Sequence, residues 1–251
     1  MKKKFKISIV TVCLNSEKTI ERCIKSVLNQ KYKKTNIELI IIDGKSVDRT
    51  IEIVKKYKSK IFYYESKIDK GIYDAINKGI KMSTGDIIGI LNSDDFYYPY
   101  TFSIVNKYFN KYKIDYLFGS VDHLKIYHGF YPKKIWYKLN VMPSHSVSFF
   151  IKRKTQLKLG LYDLKFKYSS DRDLFYRLIK SNFKGMATKR NELFGKFAVD
   201  GLSSRLSYFT KLKEEFNIRL NNKQNVFLLF GLFFLIITHK LIMMLLSKKW
   251  K

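Results

Sequence analysis

The chain has 251 residues, of which 46% are hydrophobic and 16% aromatic, and its formal net charge is +28. This length and hydrophobic content allow a sizeable buried core and exclude a disordered chain. The two cysteines, Cys13 and Cys23, match neither a disulfide framework nor a zinc-binding pattern. The positive charge is spread along the chain and fits nucleic acid, an anionic membrane surface or a phosphate-bearing substrate as a partner.

Strand and helix patterns alternate through the first hundred residues. Apolar runs predict strands at 7–12, 37–42, 61–64 and 86–91. Helical spacing of apolar residues predicts helices at 20–28, from about 47, and at 71–83. We expect Ser46 to cap the second helix. The alternation predicts an α/β fold with a mostly parallel sheet, in which Asn15, Asp43 and Asp94 meet at the carboxyl edge where ligands bind.

The rest of the chain is less regular. Strands are predicted at 114–119 and 146–151, and a helix at 171–179. The composition changes again near residue 205, after which basic and apolar residues dominate. These shifts divide the chain into three parts, 1–100, 101–204 and 205–251.

The segment 226–246 is apolar almost throughout, interrupted by His239 and Lys240. As a helix, its 21 residues would span roughly 31 Å, which is about the thickness of a bilayer core. Lys240 lies too deep for a comfortable span, and basic residues flank both ends. The tendency of such residues to stay in the cytoplasm favours an in-plane or re-entrant helix, with a single span or a buried helix as the alternatives.

The strand predicted at 86–91 ends in Asn92-Ser93-Asp94-Asp95. Two neighbouring carboxylates at such an edge repel each other unless a cation lies between them. Carboxylate oxygens suit Mg²⁺ or Mn²⁺, and such an ion can hold a diphosphate. The alternative is an ordinary polar turn, since Asn, Ser and Asp are common turn residues.

Four blocks of sequence carry a resemblance to a known family. They are VTVCLN at 10–15, IIDGKSVD at 41–48, DKGIYDAINKG at 69–79 and LNSDD at 91–95. Over about residues 5–200, the chain resembles the family 2 glycosyltransferases, and is most similar to the branch that builds bacterial surface polysaccharides. The resemblance implies the GT-A fold and a nucleotide-diphosphate sugar as donor, with a UDP-sugar favoured.

The resemblance also implies roles for residues of the first three blocks. Thr11 and Asn15 would line the nucleotide pocket. Asp43 would contact the base and Asp48 would lie near the ribose or base. Asp43 can at the same time cap the tight Asp-Gly turn that follows its strand. Asp69 would be a further residue of the donor pocket.

The fourth block resembles the metal motif of the family, Asp-x-Asp or a close variant. Asn92 departs from the strict motif, but its amide can supply a neutral oxygen or a hydrogen bond to the ribose. We expect Asn92 and Ser93 to contact the donor, and Asp94 or Asp95 to hold Mg²⁺ or Mn²⁺. The ion would neutralise the charge that develops on the departing diphosphate.

A glycosyl transfer needs a base that deprotonates the acceptor hydroxyl. The family places this base in a Glu-Asp-x-Asp-like block, which Ser170-Asp171-Arg172-Asp173 matches with Ser at the first position. By position Asp171 is the base, and Asp173 is the second candidate or a partner of Arg177 four residues on. His145 would face the acceptor side, as a His in this block does in similar sequences.

Together these expectations describe an inverting, metal-dependent glycosyltransferase. Residues 1–100 would bind the nucleotide sugar, 101–204 would supply the base and the acceptor site, and 205–251 would associate with an anionic membrane surface. The acceptor would be a lipid-linked or otherwise membrane-held glycan in capsule, O-antigen or exopolysaccharide synthesis. The protein would be peripheral or monotopic on the cytoplasmic face of the bacterial inner membrane.

Two other classes of protein stay open from the sequence. A non-catalytic, nucleotide-binding membrane scaffold is compatible with Asn92 and Ser170 at positions where the family has acids. A nucleic-acid-binding protein is compatible with the charge and the aromatic residues. However, the chain has no recognised nucleic-acid-binding motif, and we expect no nucleic-acid partner.

Overall fold

A computed structural model describes residues 3–137, 144, 146–198 and 206–248. The first part of the chain contains β1 (Ile7–Cys13), α1 (Ile20–Leu28), β2 (Ile37–Asp43), α2 (Thr50–Lys56), β3 (Tyr63–Ser66), α3 (Ile72–Met82) and β4 (Ile87–Asn92). The second part contains β5 (Phe96–Tyr97), α4 (Thr101–Lys111), β6 (Tyr116–Phe118), β7 (Ser120–Asp122), β8 (Ile126–Tyr127), β9 (Phe149–Lys152), α5 (Arg153–Leu159), α6 (Ser170–Lys180), β10 (Gly185–Ala187), β11 (Leu193–Lys196), α7 (Tyr208–Asn221) and α8 (Val226–Lys248).

Seven strands form the main sheet, in the order β10-β6-β9-β4-β1-β2-β3. β1 pairs in parallel with β2 and β4, β2 with β3, and β6 with β10. β9 runs antiparallel between β4 and β6. The predicted α/β fold with a mostly parallel sheet is therefore confirmed, and both halves of the chain contribute strands to it. A smaller sheet has the order β5-β11-β7-β8.

The two faces of the main sheet are covered by different helices. Because side chains alternate along a strand, β1 contributes to two separate hydrophobic clusters. Ile9 packs in the cluster that contains Ile24 of α1. Val10 packs in the cluster on the opposite face, together with Ile76 of α3 and Leu174 of α6. This arrangement places the N-terminal ends of α3 and α6 on the same side of the sheet.

The helix after β2 begins later than its sequence pattern suggests. The Asp48 side chain accepts a hydrogen bond from the backbone N–H of Thr50 at 3.0 Å. The Ser46 hydroxyl instead donates to Asp43, at the end of β2. The prediction that Ser46 caps α2 is therefore wrong, because α2 begins only at Thr50 and the Ser46 hydroxyl oxygen accepts from the Asn15 N–H instead.

Of the two C-terminal helices, α7 packs against α6, and α8 packs against α7. Leu212 of α7 packs against Leu229 and Phe233 of α8. Other large apolar side chains of α8 are exposed, including Phe227 at 84%. Within the described part of the chain, α8 is the helix long and apolar enough to cross a membrane, and 12% of its Val226–Met243 stretch is buried.

Candidate active site

Three strands end side by side at one edge of the main sheet. Cys13, the last residue of β1, is paired with Asp43 of β2. On the other side of β1, Val12 is paired with Asn92 of β4. The polar residues that follow or end these strands therefore share an edge, as the sequence predicts.

Asp43 uses its carboxylate to shape the turn after β2. It is fully buried, and its Oδ2 accepts hydrogen bonds from the Ser46 N–H at 2.9 Å and the Ser66 hydroxyl at 2.7 Å. The Cys13 sulfur lies 3.5 Å from Oδ1. Burial, followed by the neighbouring Asp43 charge, raises the pKa of the Cys13 thiol, which therefore keeps its proton and donates it. Contact of Asp43 with a base stays a prediction.

The position of Thr11 differs from the sequence-based expectation. Thr11 is completely buried two residues before the end of β1, and its hydroxyl lies 3.9 Å from the Cys23 sulfur in α1. The Thr11 side chain therefore packs against α1 before the end of the strand and does not line the carboxyl edge. The β1 side chain beside Asp43 is Cys13, so Cys13 replaces Thr11 as the residue at this edge.

Asn15 and Asp48 order the two loops that border the edge. Asn15 has a positive φ of 49°, and its N–H donates to the Ser46 hydroxyl at 2.8 Å. Asp48 accepts hydrogen bonds from the backbone N–H groups of Glu17 and Thr50, each at 3.0 Å. Burial opposes ionisation of Asp48, but hydrogen bonds from Thr50 and Glu17 lower its pKa. Both residues fix the loops, and their contacts with a nucleotide stay predictions.

Asp69 lies against the turn that follows β2. Its Oδ1 accepts a hydrogen bond from the Gly71 N–H at 2.8 Å, just before α3 begins. A Cβ atom at Gly44 would lie 2.9 Å from Asp69 Oδ2, so the carboxylate fills the space that a side chain there would need. Asp69 therefore lies beside the β2 end of the edge.

The Asn92-Ser93-Asp94 loop closes the edge beyond β4. The Ser93 hydroxyl is 2.8 Å from the Ser16 hydroxyl, and the Asp94 carbonyl accepts a hydrogen bond from Arg22 at 2.8 Å. The Asn92 Oδ1 atom is buried and has no hydrogen-bond partner among the described residues. An unpaired buried acceptor is unfavourable and is stabilised when a ligand satisfies it.

Asp95 is buried, and both of its carboxylate oxygens accept hydrogen bonds from the second half of the chain. The Ser146 hydroxyl donates to its Oδ2 at 2.6 Å, and the Ala198 N–H donates to its Oδ1 at 2.9 Å. Burial, with the neighbouring Asp94 charge, raises the pKa of Asp95 to about 7, although the hydrogen bonds from Ser146 and Ala198 act in the opposite direction. The assignment of Asp95 as a metal ligand is therefore corrected: it joins the loop to the second half of the chain.

The remaining oxygens of the loop fit a hard divalent cation. Asp94 supplies a half-buried carboxylate and Asn92 the unpaired amide oxygen. Mg²⁺ in nucleotide sites is commonly bound by one or two protein groups, with substrate phosphates and water completing its shell. Among the described residues, no three His, Cys, Asp or Glu side chains form a metal-binding group, so the protein alone offers an incomplete site.

Asp171 lies in the first turn of α6 and faces α3. Its Oδ1 accepts a hydrogen bond from the Tyr73 hydroxyl at 2.9 Å. No described residue donates a hydrogen bond to its Oδ2. The side chain is partly exposed, so Oδ2 is available to an acceptor hydroxyl.

Asp173, the second candidate for the base, is used by the fold. It is 1% exposed; Arg177 donates to its Oδ2 and Asn222 to its Oδ1, each at 2.7 Å. Both carboxylate oxygens of Asp173 therefore bind partners inside the fold. Asp173 is the partner of Arg177, which was the alternative to its role as the base. His145 lies outside the described residues.

Several residues contribute to the site although the sequence did not place them among the candidate site residues. Cys13 was identifiable as the last residue of β1, and Ser46 as a turn residue three positions after Asp43. No sequence pattern indicated Arg22 or Tyr73, because each makes its hydrogen bond to a residue distant in the chain. Arg22 bonds the Asp94 carbonyl and lies 4.8 Å from the centre of the Phe96 ring.

Comparison with known proteins identifies the family. Residues 8–194 match the model of glycosyl transferase family 2. An uncharacterised glycosyltransferase of Rickettsia typhi is 30% identical over 189 residues, which is 69% of this chain and 58% of that protein. Over 93 residues, the chain is 39% identical to the poly(ribitol-phosphate) β-N-acetylglucosaminyltransferase TarP of Staphylococcus aureus, covering 36% of this chain and 28% of TarP. The chain belongs to glycosyl transferase family 2.

Solved structures show the same fold. S. aureus TarS 1–349 in complex with UDP-GlcNAc matches with a TM-score of 0.66 at 17% identity, covering 88% of this chain and 68% of TarS 1–349. The mannosyltransferase PcManGT of Pyrobaculum calidifontis, in complex with GDP-Man and Mn²⁺, matches with a TM-score of 0.68 at 14% identity, covering 88% and 66%. These matches confirm the GT-A fold for this chain.

Proposed function

We propose that this glycosyltransferase transfers one sugar from a nucleotide-diphosphate donor to a membrane-held glycan acceptor, with inversion at the anomeric carbon. The observation that carries the proposal is the carboxylate of Asp171, held by Tyr73 through one oxygen and open through the other. Asp171 Oδ2 would accept the proton of the acceptor hydroxyl while the hydroxyl oxygen attacks the anomeric carbon and the bond from that carbon to the nucleoside diphosphate breaks. A single base and direct displacement give inversion.

The donor is proposed to bind at the edge formed by β1, β2 and β4. Asn15, Asp43, Asp48, Asp69 and Asn92 lie at or beside this edge. Two solved structures with the same fold, TarS with UDP-GlcNAc and PcManGT with GDP-Man, support a nucleotide sugar as the donor. We favour a UDP-sugar for this chain.

Asp94 and Asn92 are proposed to hold Mg²⁺ or Mn²⁺ with the donor diphosphate. When bound, such an ion neutralises charge on the departing nucleotide diphosphate. The Mn²⁺ in the PcManGT complex supports this choice of ion. Arg22, which donates to the Asp94 carbonyl, adds a fixed positive charge beside the same loop.

The surface of α7 and α8 is the basis for the proposed acceptor and for the proposed location of the protein in the cell. Most of the described apolar side chains of α8 between Val226 and Met243 are exposed, and exposed groups of this kind favour a bilayer. Lys211, Lys213 and Lys223 precede it, and lysines near a membrane surface favour anionic lipids. We therefore propose association with the cytoplasmic face of the bacterial inner membrane, and an acceptor that is lipid-linked, as in capsule, O-antigen or exopolysaccharide synthesis.

The test is a transfer assay with detergent-purified protein and a panel of UDP-, GDP- and dTDP-sugars. Each donor is tested with lipid-linked acceptor extracts, in Mn²⁺, in Mg²⁺ and with EDTA. We expect release of nucleoside diphosphate from one donor together with labelled lipid product, and loss of both with EDTA. Binding of a nucleoside diphosphate by calorimetry without transfer from any donor would favour the non-catalytic, nucleotide-binding scaffold, and failure to bind any nucleoside diphosphate would contradict the proposal.

A further inference from the structure

The helix α3 connects the donor edge to the candidate base. It begins after the turn in which Gly71, with a φ of 114°, donates its N–H to Asp69. Two residues later, the Tyr73 hydroxyl lies 2.9 Å from Asp171 Oδ1 and 3.2 Å from the Tyr168 carbonyl. Tyr73 therefore reaches from the donor half of the chain to the first turn of α6.

The Tyr73 ring is held firmly by its surroundings. It is 8% exposed and stacks on the Tyr162 ring, with centroids 5.5 Å apart and planes at 17°. Asn77, one turn further along α3, fixes the Tyr162 backbone with two hydrogen bonds of 2.9 Å. A Cβ atom at Gly79 would lie 2.2 Å from Val10 of β1, so α3 also packs closely on the sheet.

The Tyr73 hydroxyl is the donor in its contact with Asp171. Burial, together with the adjacent Asp171 charge, raises the pKa of Tyr73 well above its usual value. The phenol therefore keeps its proton at neutral pH. A hydrogen bond to a charged acceptor is stronger and more directional than one between neutral groups.

We propose that Tyr73 is a positioning residue, whose hydroxyl fixes the orientation of the Asp171 carboxylate relative to the donor edge. This inference rests on the proposed role of Asp171 as the base. Without the hydrogen bond, the Asp171 side chain would be free to rotate between several rotamers. With it, Oδ1 is fixed, and Oδ2, which receives no hydrogen bond from a described residue, is left to accept the proton of the acceptor hydroxyl.

The test compares Tyr73→Phe with Tyr57→Phe. Tyr57 makes the same kind of bond, from its hydroxyl to Glu21 at 2.7 Å, and it packs in the hydrophobic cluster on the opposite face of the sheet. Phe at position 73 keeps the stacked ring, and melting temperatures and nucleotide binding by calorimetry establish that each variant is folded. Because small errors in the orientation of reacting groups are costly, we expect Tyr73→Phe to lower kcat roughly ten- to hundredfold with donor and acceptor KM nearly unchanged. Tyr57→Phe should keep the wild-type kcat.

A double variant separates positioning of Asp171 from a general structural effect. If Tyr73 acts through Asp171, adding Tyr73→Phe to Asp171→Asn should not reduce the residual kcat further. Wild-type kcat in Tyr73→Phe, or an equal loss in both backgrounds, would overturn the inference. Full transfer activity in Asp171→Asn would instead show that the proposed base is wrong, so the two failures are distinguishable.

Discussion

A buried cluster of charges joins α7 to the helix that carries Asp171. The Glu215 carboxylate accepts a hydrogen bond from Arg172 at 2.9 Å and from Arg219 at 2.7 Å. The Arg219 side chain is fully buried and also donates to the Trp136 carbonyl at 2.9 Å. The Tyr176 hydroxyl lies 3.2 Å from the same carboxylate. We predict that Glu215→Gln destabilises the protein strongly.

The magnitude follows from the burial of the pair. Glu215 and Arg219 have side-chain exposures of 2% and 0%. Removal of one partner from a buried ion pair leaves the other charge uncompensated and costs about 3–5 kcal/mol. Because whole domains are stable by about 5–15 kcal/mol, this loss is a large fraction of the total.

Urea unfolding followed by tryptophan fluorescence measures this effect. The expected loss lowers the unfolding midpoint by roughly 1 M or more for Glu215→Gln. Glu52→Gln is the matched control, because its exposed pairs with Arg49 and Lys56 contribute little, and its midpoint should equal that of the wild type. Equal midpoints for Glu215→Gln and Glu52→Gln would refute the reasoning from burial.

Three further predictions concern the first half of the chain. Burial opposes ionisation of Glu38, but hydrogen bonds from its neighbours lower the pKa of Glu38 below its usual value of 4.5. The ionised Glu38 side chain therefore stabilises the fold above pH 4.5, and this contribution is lost as the pH falls through the pKa in the folded state. Urea midpoints of Glu38→Gln should consequently vary less than those of the wild type between pH 6 and pH 3, and an unchanged pH slope would count against this. Gly79→Ala should lower the free energy of unfolding by roughly 2 kcal/mol or more, since the new methyl group overlaps the buried Val10 side chain; a neutral or stabilising effect in the same assay would show that α3 can move away. In calorimetry with nucleoside diphosphate, Asp94→Asn should weaken Mn²⁺ binding about tenfold or more, whereas Asp95→Asn should not, and the reverse order would restore Asp95 as the ligand.

Local sequence patterns were sufficient to predict the framework of the site. The apolar run of β1 and the helical spacing of α1 gave their positions to within a residue. The parallel sheet then followed from the alternation of strands and helices, and with it the shared edge that bears Asp43 and Asn92. These features depend on residues close together in the chain, which is why periodicity detects them.

The orientation of individual acids was not predictable in the same way. Asp94 and Asp95 are adjacent and identical in type, and only the distant partners Ser146 and Ala198 turn Asp95 inward. Asp173 is an intermediate case: its partner Arg177 lies four residues on and was predicted from the spacing, whereas its other partner, Asn222, lies 49 residues after it. Contacts of this kind depend on packing between distant segments, and no local pattern reports them.

The proposed reaction is tested most directly by measuring sugar transfer by Asp171→Asn in the 251-residue protein, next to Asp173→Asn and the wild type. Initial rates of sugar transfer to the lipid-linked acceptor are measured with saturating donor, and binding of the nucleoside diphosphate is measured separately. We predict that Asp171→Asn binds the nucleotide as the wild type does but transfers sugar at least roughly a hundredfold more slowly, as expected for loss of a general base. A rate for Asp171→Asn close to that of the wild type, with Asp173→Asn inactive but folded, would contradict the assignment of the base.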